Sequence, residues 1–131
     1  VGPDRLILDT CALLWLASGE RRRLSENTFA AIDRAETVSV VAITGFEIGI
    51  KYMAGKLRLP VAPRQWFDAI LGHHRLDLID LDLKTCVHAT QLPPIHKDPC
   101  DRLIIAAALI HDLPVVTADV RFTEYGVRVM G

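Results

Sequence analysis

The sequence predicts an α/β fold: a three-layer α/β/α sandwich built on a central, mostly parallel β-sheet. Two observations carry that expectation. Short apolar, β-branched runs alternate along the chain with segments of helical periodicity. Most of those runs are apolar at consecutive positions, which suits a strand covered on both faces. At 131 residues the chain suits one domain spanning 1–131, large enough to bury a core without disulfides.

Taken in order, Arg5-Leu6-Ile7-Leu8-Asp9 reads as a short buried strand that ends in an aspartate. Thr10 to Ala17 turns helical, and the polar Ser18-Gly19-Glu20 ends it before a basic loop, Arg21-Arg22-Arg23. Ser25 caps a second helix reaching about Ala35, with Phe29 and Ile32 inward. Val38 to Ala42 is a second buried strand. A helix follows from Ile43 to about Lys56. At 100° per residue, Ile43, Phe46, Ile50, Met53 and Ala54 share one arc, with Glu47 at its edge.

Leu59 to Pro63 is a turn and Arg64 to about Gly72 an amphipathic helix. Leu76 to Leu81 alternates apolar with acidic residues, as a strand nearer the sheet edge does. Leu83 to Leu92 is helical and is closed by Pro93-Pro94. Asp98-Pro99 then opens the central helix, because proline in a first turn lacks only an N–H that would be orphaned anyway. Leu103 to Ile110 is apolar on every side, so this helix is buried all round. Pro114 to Thr117 and Val127 to Met130 complete the strands.

Composition sets bounds. Half the residues are hydrophobic and 24% charged, with a formal net charge of −1, so bulk electrostatics neither announces nor excludes a nucleic-acid partner. No apolar run suits a membrane span and no signal-peptide pattern opens the chain, which predicts a cytoplasmic protein. Cys11, Cys86 and Cys100 form no Cys-x-x-Cys pair and read as buried, reduced thiols. His73, His74, His88, His96 and His111 show no metal-ligand spacing with one another and are assigned to surface or packing. Trp15 and Trp66 lie on amphipathic helices and belong to core or interface.

The chemistry points to acids. In parallel sheets the functional crevice lies beyond the carboxyl ends of the strands. Asp9 and Asp119 each follow a buried strand, Glu47 sits a turn into the helix after the second strand, and Asp101 lies in the first turn of the central helix. Two carboxylates ~5 Å apart repel by roughly 3 kcal/mol at an effective dielectric of 20. Four meeting in one pocket need a shared cation or raised pKa values. An oxygen-only set suits Mg²⁺ or Mn²⁺, ions that activate water and neutralise phosphate charge in phosphodiester hydrolysis. Each acid also has a plainer role. Asp9 and Asp119 are candidate caps, Asp98 with Asp101 resembles a capping box with Asp in place of Glu, and Glu47 is spaced i,i+4 from Lys51 for an ion pair.

Four motifs together resemble the PIN-domain family. Leu8-Asp9-Thr10-Cys11-Ala12-Leu13-Leu14-Trp15 is similar to its opening motif, and Ile43-Thr44-Gly45-Phe46-Glu47-Ile48-Gly49-Ile50-Lys51 to its second. His96-Lys97-Asp98-Pro99-Cys100-Asp101-Arg102-Leu103 resembles the third and Thr117-Ala118-Asp119 the fourth. Within the family, the Asp-Pro-x-Asp-Arg run looks most like VapC-type toxins of bacterial type II toxin–antitoxin pairs. Phe46, Thr44 and Ala107 stand where tryptophan, serine and glutamine are common.

The resemblance implies a PIN-like sandwich and an Mg²⁺- or Mn²⁺-dependent endoribonuclease. It also implies a homodimer, restrained by a cognate antitoxin. Its acidic quartet would be Asp9, Glu47, Asp101 and Asp119, with Asp98, Thr117, Arg102 and Lys51 in support. Two other classes compete. A phosphoacceptor receiver domain requires an acidic pair after the first strand and a lysine near the last, and the chain has a single Asp9 and no such lysine. A catalytically silent PIN module would keep the fold without binding a divalent ion.

Overall fold

The computed structural model describes residues 3–131; Val1 and Gly2, part of the predicted domain span, lie outside them. The elements follow the expected alternation. They are β1 (Arg5–Leu8), α1 (Thr10–Ser18), α2 (Glu26–Arg34), β2 (Thr37–Val41), α3 (Ile43–Met53) and α4 (Pro63–His73). β3 (Leu76–Ile79), α5 (Leu83–Gln91), α6 (Pro99–His111) and β4 (Val115–Val116) follow, then a 3₁₀ turn at Val120–Tyr125 and β5 (Val129–Met130). The five strands form one sheet in the order β3-β2-β1-β4-β5, parallel at every pairing.

Consecutive apolar residues pay off because they feed opposite faces of the sheet. Leu6 and Leu8 of β1, Val38 and Val40 of β2, and Val116 of β4 join one core with Leu13, Phe29, Ile32, Ile48 and Trp66. Ile7, Val41 and Val115, the alternate positions, join a second core with Ile104, Ile105, Ala107, Ala108 and Phe122. The middle of α6, Ile104 to Ala108, is buried at five successive positions, more than a full turn, as its uniform apolarity predicts. β3 is an edge strand whose Leu78 faces outward, 52% exposed.

One expectation needs correction, and two features were not foreseeable from the sequence. The apolar arc of α3 faces out: Phe46, Ile50 and Met53 are 61%, 52% and 83% exposed, and the buried positions are Thr44 and Ile48. Periodicity shows that a helix has an apolar side, not which side the fold covers. The thiols are free but not buried, Cys11 being exposed and Cys86 and Cys100 half-buried. The basic loop also partly serves the fold, since Arg21 lies 4.0 Å from the centre of the Phe29 ring and Arg22 pairs with Glu20. Among the described residues, no helix is long and apolar enough to cross a membrane.

Candidate active site

The strand order reverses between β1 and β4, where the chain leaves β1 for β2 on one side and β4 for β5 on the other. Such a switch point leaves a crevice at the carboxyl ends of the two strands. Asp9 follows β1 and Asp119 lies just beyond β4, so both stand at its lip. An open cleft of about 360 Å³ occupies the place, lined by Asp9, Glu47, Lys51, Asp98, Asp101 and Asp119, with Thr10, Cys11 and Trp15 along its wall. The four acids singled out in the sequence thus come together in one cleft.

Several of these acids hold a structural post as well. Asp9 is the N-cap of α1 and its Oδ1 accepts the Ala12 N–H at 2.8 Å. Asp98 caps α6, accepting from the N–H groups of Cys100 and Asp101 at 2.8 and 3.3 Å. Asp119 caps the 3₁₀ turn through the Arg121 N–H at 3.0 Å. Glu47 makes the i,i+4 pair with Lys51 at 3.1 Å, and its other oxygen accepts the Thr10 hydroxyl at 2.6 Å. Cap and site are not alternatives here, because a carboxylate has enough lone pairs to serve a backbone N–H and a ligand together.

Burial sets the electrostatics. Asp9 is 7% exposed, and burial raises its pKa, opposed by hydrogen bonds from the Thr117 hydroxyl and the Ala12 N–H and reinforced by the charges of Glu47 and Asp119. Asp101 is pushed up to about 6, first by burial and then by the charge of Asp98, with His96 opposing. Asp119 is held down at about 2, mainly by hydrogen bonds from Arg121, whose Nε and Nη2 reach it at 3.0 and 2.7 Å. The cleft therefore concentrates carboxylates against a desolvation cost, and an ionised set there calls for added positive charge. The donors that Asp9, Glu47, Asp101 and Asp119 offer are hard oxygens, a set that fits Mg²⁺ or Mn²⁺.

Two residues that the sequence left aside belong to this site. His96 is 3% exposed, and its Nε2 lies 3.0 Å from Asp101 and 2.9 Å from Asp119, so its assignment to surface or packing is corrected. The ligand-capable atoms of His96, Asp101 and Asp119 all lie within 4.8 Å of one another. Spacing among the histidines carries no signal of this role; the usable signal is His96 standing inside the third motif. Arg121 is the second, visible in sequence only as an Asp-x-Arg pair.

The supporting residues separate. Thr117 accepts the Asp119 N–H at 3.0 Å while it hydrogen-bonds Asp9, so it ties the ends of β1 and β4 together. Lys51 stays at the cleft with its side chain 41% exposed. Arg102, expected as a phosphate or acid-positioning contact, is turned away from the acids. Its guanidinium donates to the carbonyls of Ala89, Leu92, Pro93 and His96 at 2.8 to 3.1 Å, closing the end of α5 and the loop after it.

The fold and the acids at its switch point are those of a parallel α/β domain with a carboxylate-lined cleft, and the comparisons name its family. Residues 6–127 match the PIN domain family model, and the chain belongs to that family. Ribonuclease VapC22 of Mycobacterium tuberculosis is 30% identical over 121 residues, covering 92% of this chain and 91% of that protein. Among solved structures, VapBC2 from Rickettsia felis bound to a promoter DNA fragment aligns with a TM-score of 0.70 at 17% identity, covering 95% and 96% of the two chains. FitAcB from Neisseria gonorrhoeae aligns with a TM-score of 0.67 at 22% identity, covering 96% of each. At these identities the structures speak for the fold alone.

Proposed function

We propose that this chain is a metal-dependent endoribonuclease of the VapC type, the toxin of a toxin–antitoxin pair. The observation that carries the reading is the meeting of Asp9, Glu47, Asp101 and Asp119 in one cleft at the switch point of a PIN fold. The ribonuclease relative supports the activity, and the neighbouring VapBC complexes support an antitoxin as partner.

Mg²⁺ or Mn²⁺, when bound, supplies the positive charge that activates water and stabilises the phosphate in the transition state. Asp9 would be the central ligand, its carboxylate oriented by the Ala12 N–H and the Thr117 hydroxyl. Glu47 and Asp101 would help to hold that ion, and Asp119 would hold a second or orient water. Asp98 stays with the cap of α6 and adds negative potential beside Asp101. Lys51, paired to Glu47 and partly exposed, is placed to meet an RNA phosphate at the mouth of the cleft. An antitoxin segment that inserts an arginine among the acids would restrain the enzyme, using the two-point grip that Arg121 already makes on Asp119. A homodimer forms through the exposed apolar face of α3.

The test is RNA cleavage by the purified protein with Mn²⁺, compared with Asp9→Asn. Asn keeps the cap oxygen but loses the charge, so the variant folds with an unchanged circular-dichroism spectrum and loses cleavage by about 100-fold or more. Full activity in a folded Asp9→Asn protein refutes the assignment. Calorimetry that detects no Mn²⁺ binding to the wild type favours the silent PIN module.

A further inference from the structure

His96 connects two acids that arrive from distant parts of the chain, Asp101 on α6 and Asp119 after β4. Which nitrogen carries its proton follows from a neighbour that can only donate. The Asp98 backbone N–H points at Nδ1, 3.2 Å away, so Nδ1 presents its lone pair and the proton sits on Nε2. Nε2–H then faces Asp119 Oδ2 at 2.9 Å and Asp101 Oδ2 at 3.0 Å. The ring has little freedom to leave. Its own backbone N–H donates to the Tyr125 hydroxyl at 2.7 Å, its carbonyl accepts from Arg102 at 3.1 Å, and its edge packs on Phe122 with 6.0 Å between ring centres.

We propose that His96 is a positioning residue: its Nε2–H bridges Asp101 and Asp119 and fixes their separation for the ion, without itself becoming a ligand. The inference rests on the metal-dependent reading above. Direct ligation through Nε2 requires the lone pair there and the proton on Nδ1, which sets two donors, Nδ1–H and the Asp98 N–H, against each other. The ion therefore meets carboxylate oxygens, and the histidine holds the distance between them. Outer partners of this kind change metal affinity by about 10–100-fold when removed.

The experiment compares wild type, His96→Gln and His96→Ala, each loaded with Mn²⁺. Electron spin-echo spectroscopy reads whether nitrogen is bonded to the ion, calorimetry reads affinity, and steady-state RNA cleavage separates kcat from KM. Bound Mn²⁺ in the wild type is expected to show no directly coordinated histidine nitrogen. Loss of the bridge in His96→Ala weakens Mn²⁺ binding by about 10-fold or more and lowers kcat with little change in KM. His96→Gln, whose amide N–H₂ reaches both carboxylates, recovers affinity to within about threefold of wild type. A nitrogen coupling in the wild type overturns the proposal, as does a folded His96→Ala that binds Mn²⁺ like the wild type. Should His96→Ala fail to fold, the wild-type spectrum and the glutamine variant still decide. Absence of Mn²⁺ binding by the wild type removes the parent reading as well, whereas normal binding with an indifferent His96→Ala removes this inference alone.

Discussion

Asp101 bears the largest electrostatic load in the cleft, for it is partly buried and faces the charges of Asp98, Glu47 and Asp9. Its pKa rises from 3.8 to about 6, so between those values the folded protein holds a proton that the unfolded chain has lost. The metal-free fold therefore loses stability as pH climbs through that window and pays the full penalty above it. Asp101→Asn removes the charge and keeps an acceptor for His96. Urea unfolding without metal should find the variant more stable by about 1–3 kcal/mol at pH 8 and equal to wild type below about pH 4. Excess Mg²⁺ at pH 8 should narrow or reverse the difference, because an ion held by the proposed wild-type site would stabilise that fold alone. Equal stability at pH 8 without metal would contradict the assigned load. At this scale Asp9, Asp101 and Asp119 were readable because each stands at an element end, where chemistry and capping share a vocabulary, and Glu47 because it sits a turn into α3. His96 was not, since its partners are brought to it by the fold rather than by spacing.

The junction of α5 with α6 shows how one element serves another. Arg102, in the first turn of α6, spends its guanidinium on carbonyls at the end of α5 and in the loop that carries His96. A lysine there keeps the charge but cannot span four acceptors. Arg102→Lys is expected to lower the unfolding free energy by about 2–4 kcal/mol and to reduce cleavage, because the loop presenting His96 loosens. A denaturation midpoint unchanged from wild type would show that the carbonyls find other partners. Strands and helices were legible because apolar runs and cap residues are local signals. The orientation of α3 was not: its polar residues Thr44 and Glu47 face α1 because Thr10 meets them there, at 3.2 Å and 2.6 Å, leaving Phe46, Ile50 and Met53 outside.

For the molecule as a whole, parallel strands on both sides of β1 bring residues from four stretches of sequence to one crevice. The outward face of α3 is the surface assigned to a second copy. Light scattering should report a dimer for wild type and a monomer for the double variant Phe46→Glu with Met53→Glu, since facing carboxylates cannot be buried together. A dimer that survives both substitutions places the contact elsewhere. In the proposed function, side chains far apart in sequence hold one hard cation at the sheet's switch point. Anomalous X-ray scattering from a crystal soaked in Mn²⁺ tests it most directly. A peak is expected within about 2.0–2.4 Å of carboxylate oxygens of Asp9 and at least one of Glu47, Asp101 and Asp119. A soaked crystal whose cleft shows no peak, or whose manganese sits away from Asp9, would contradict it.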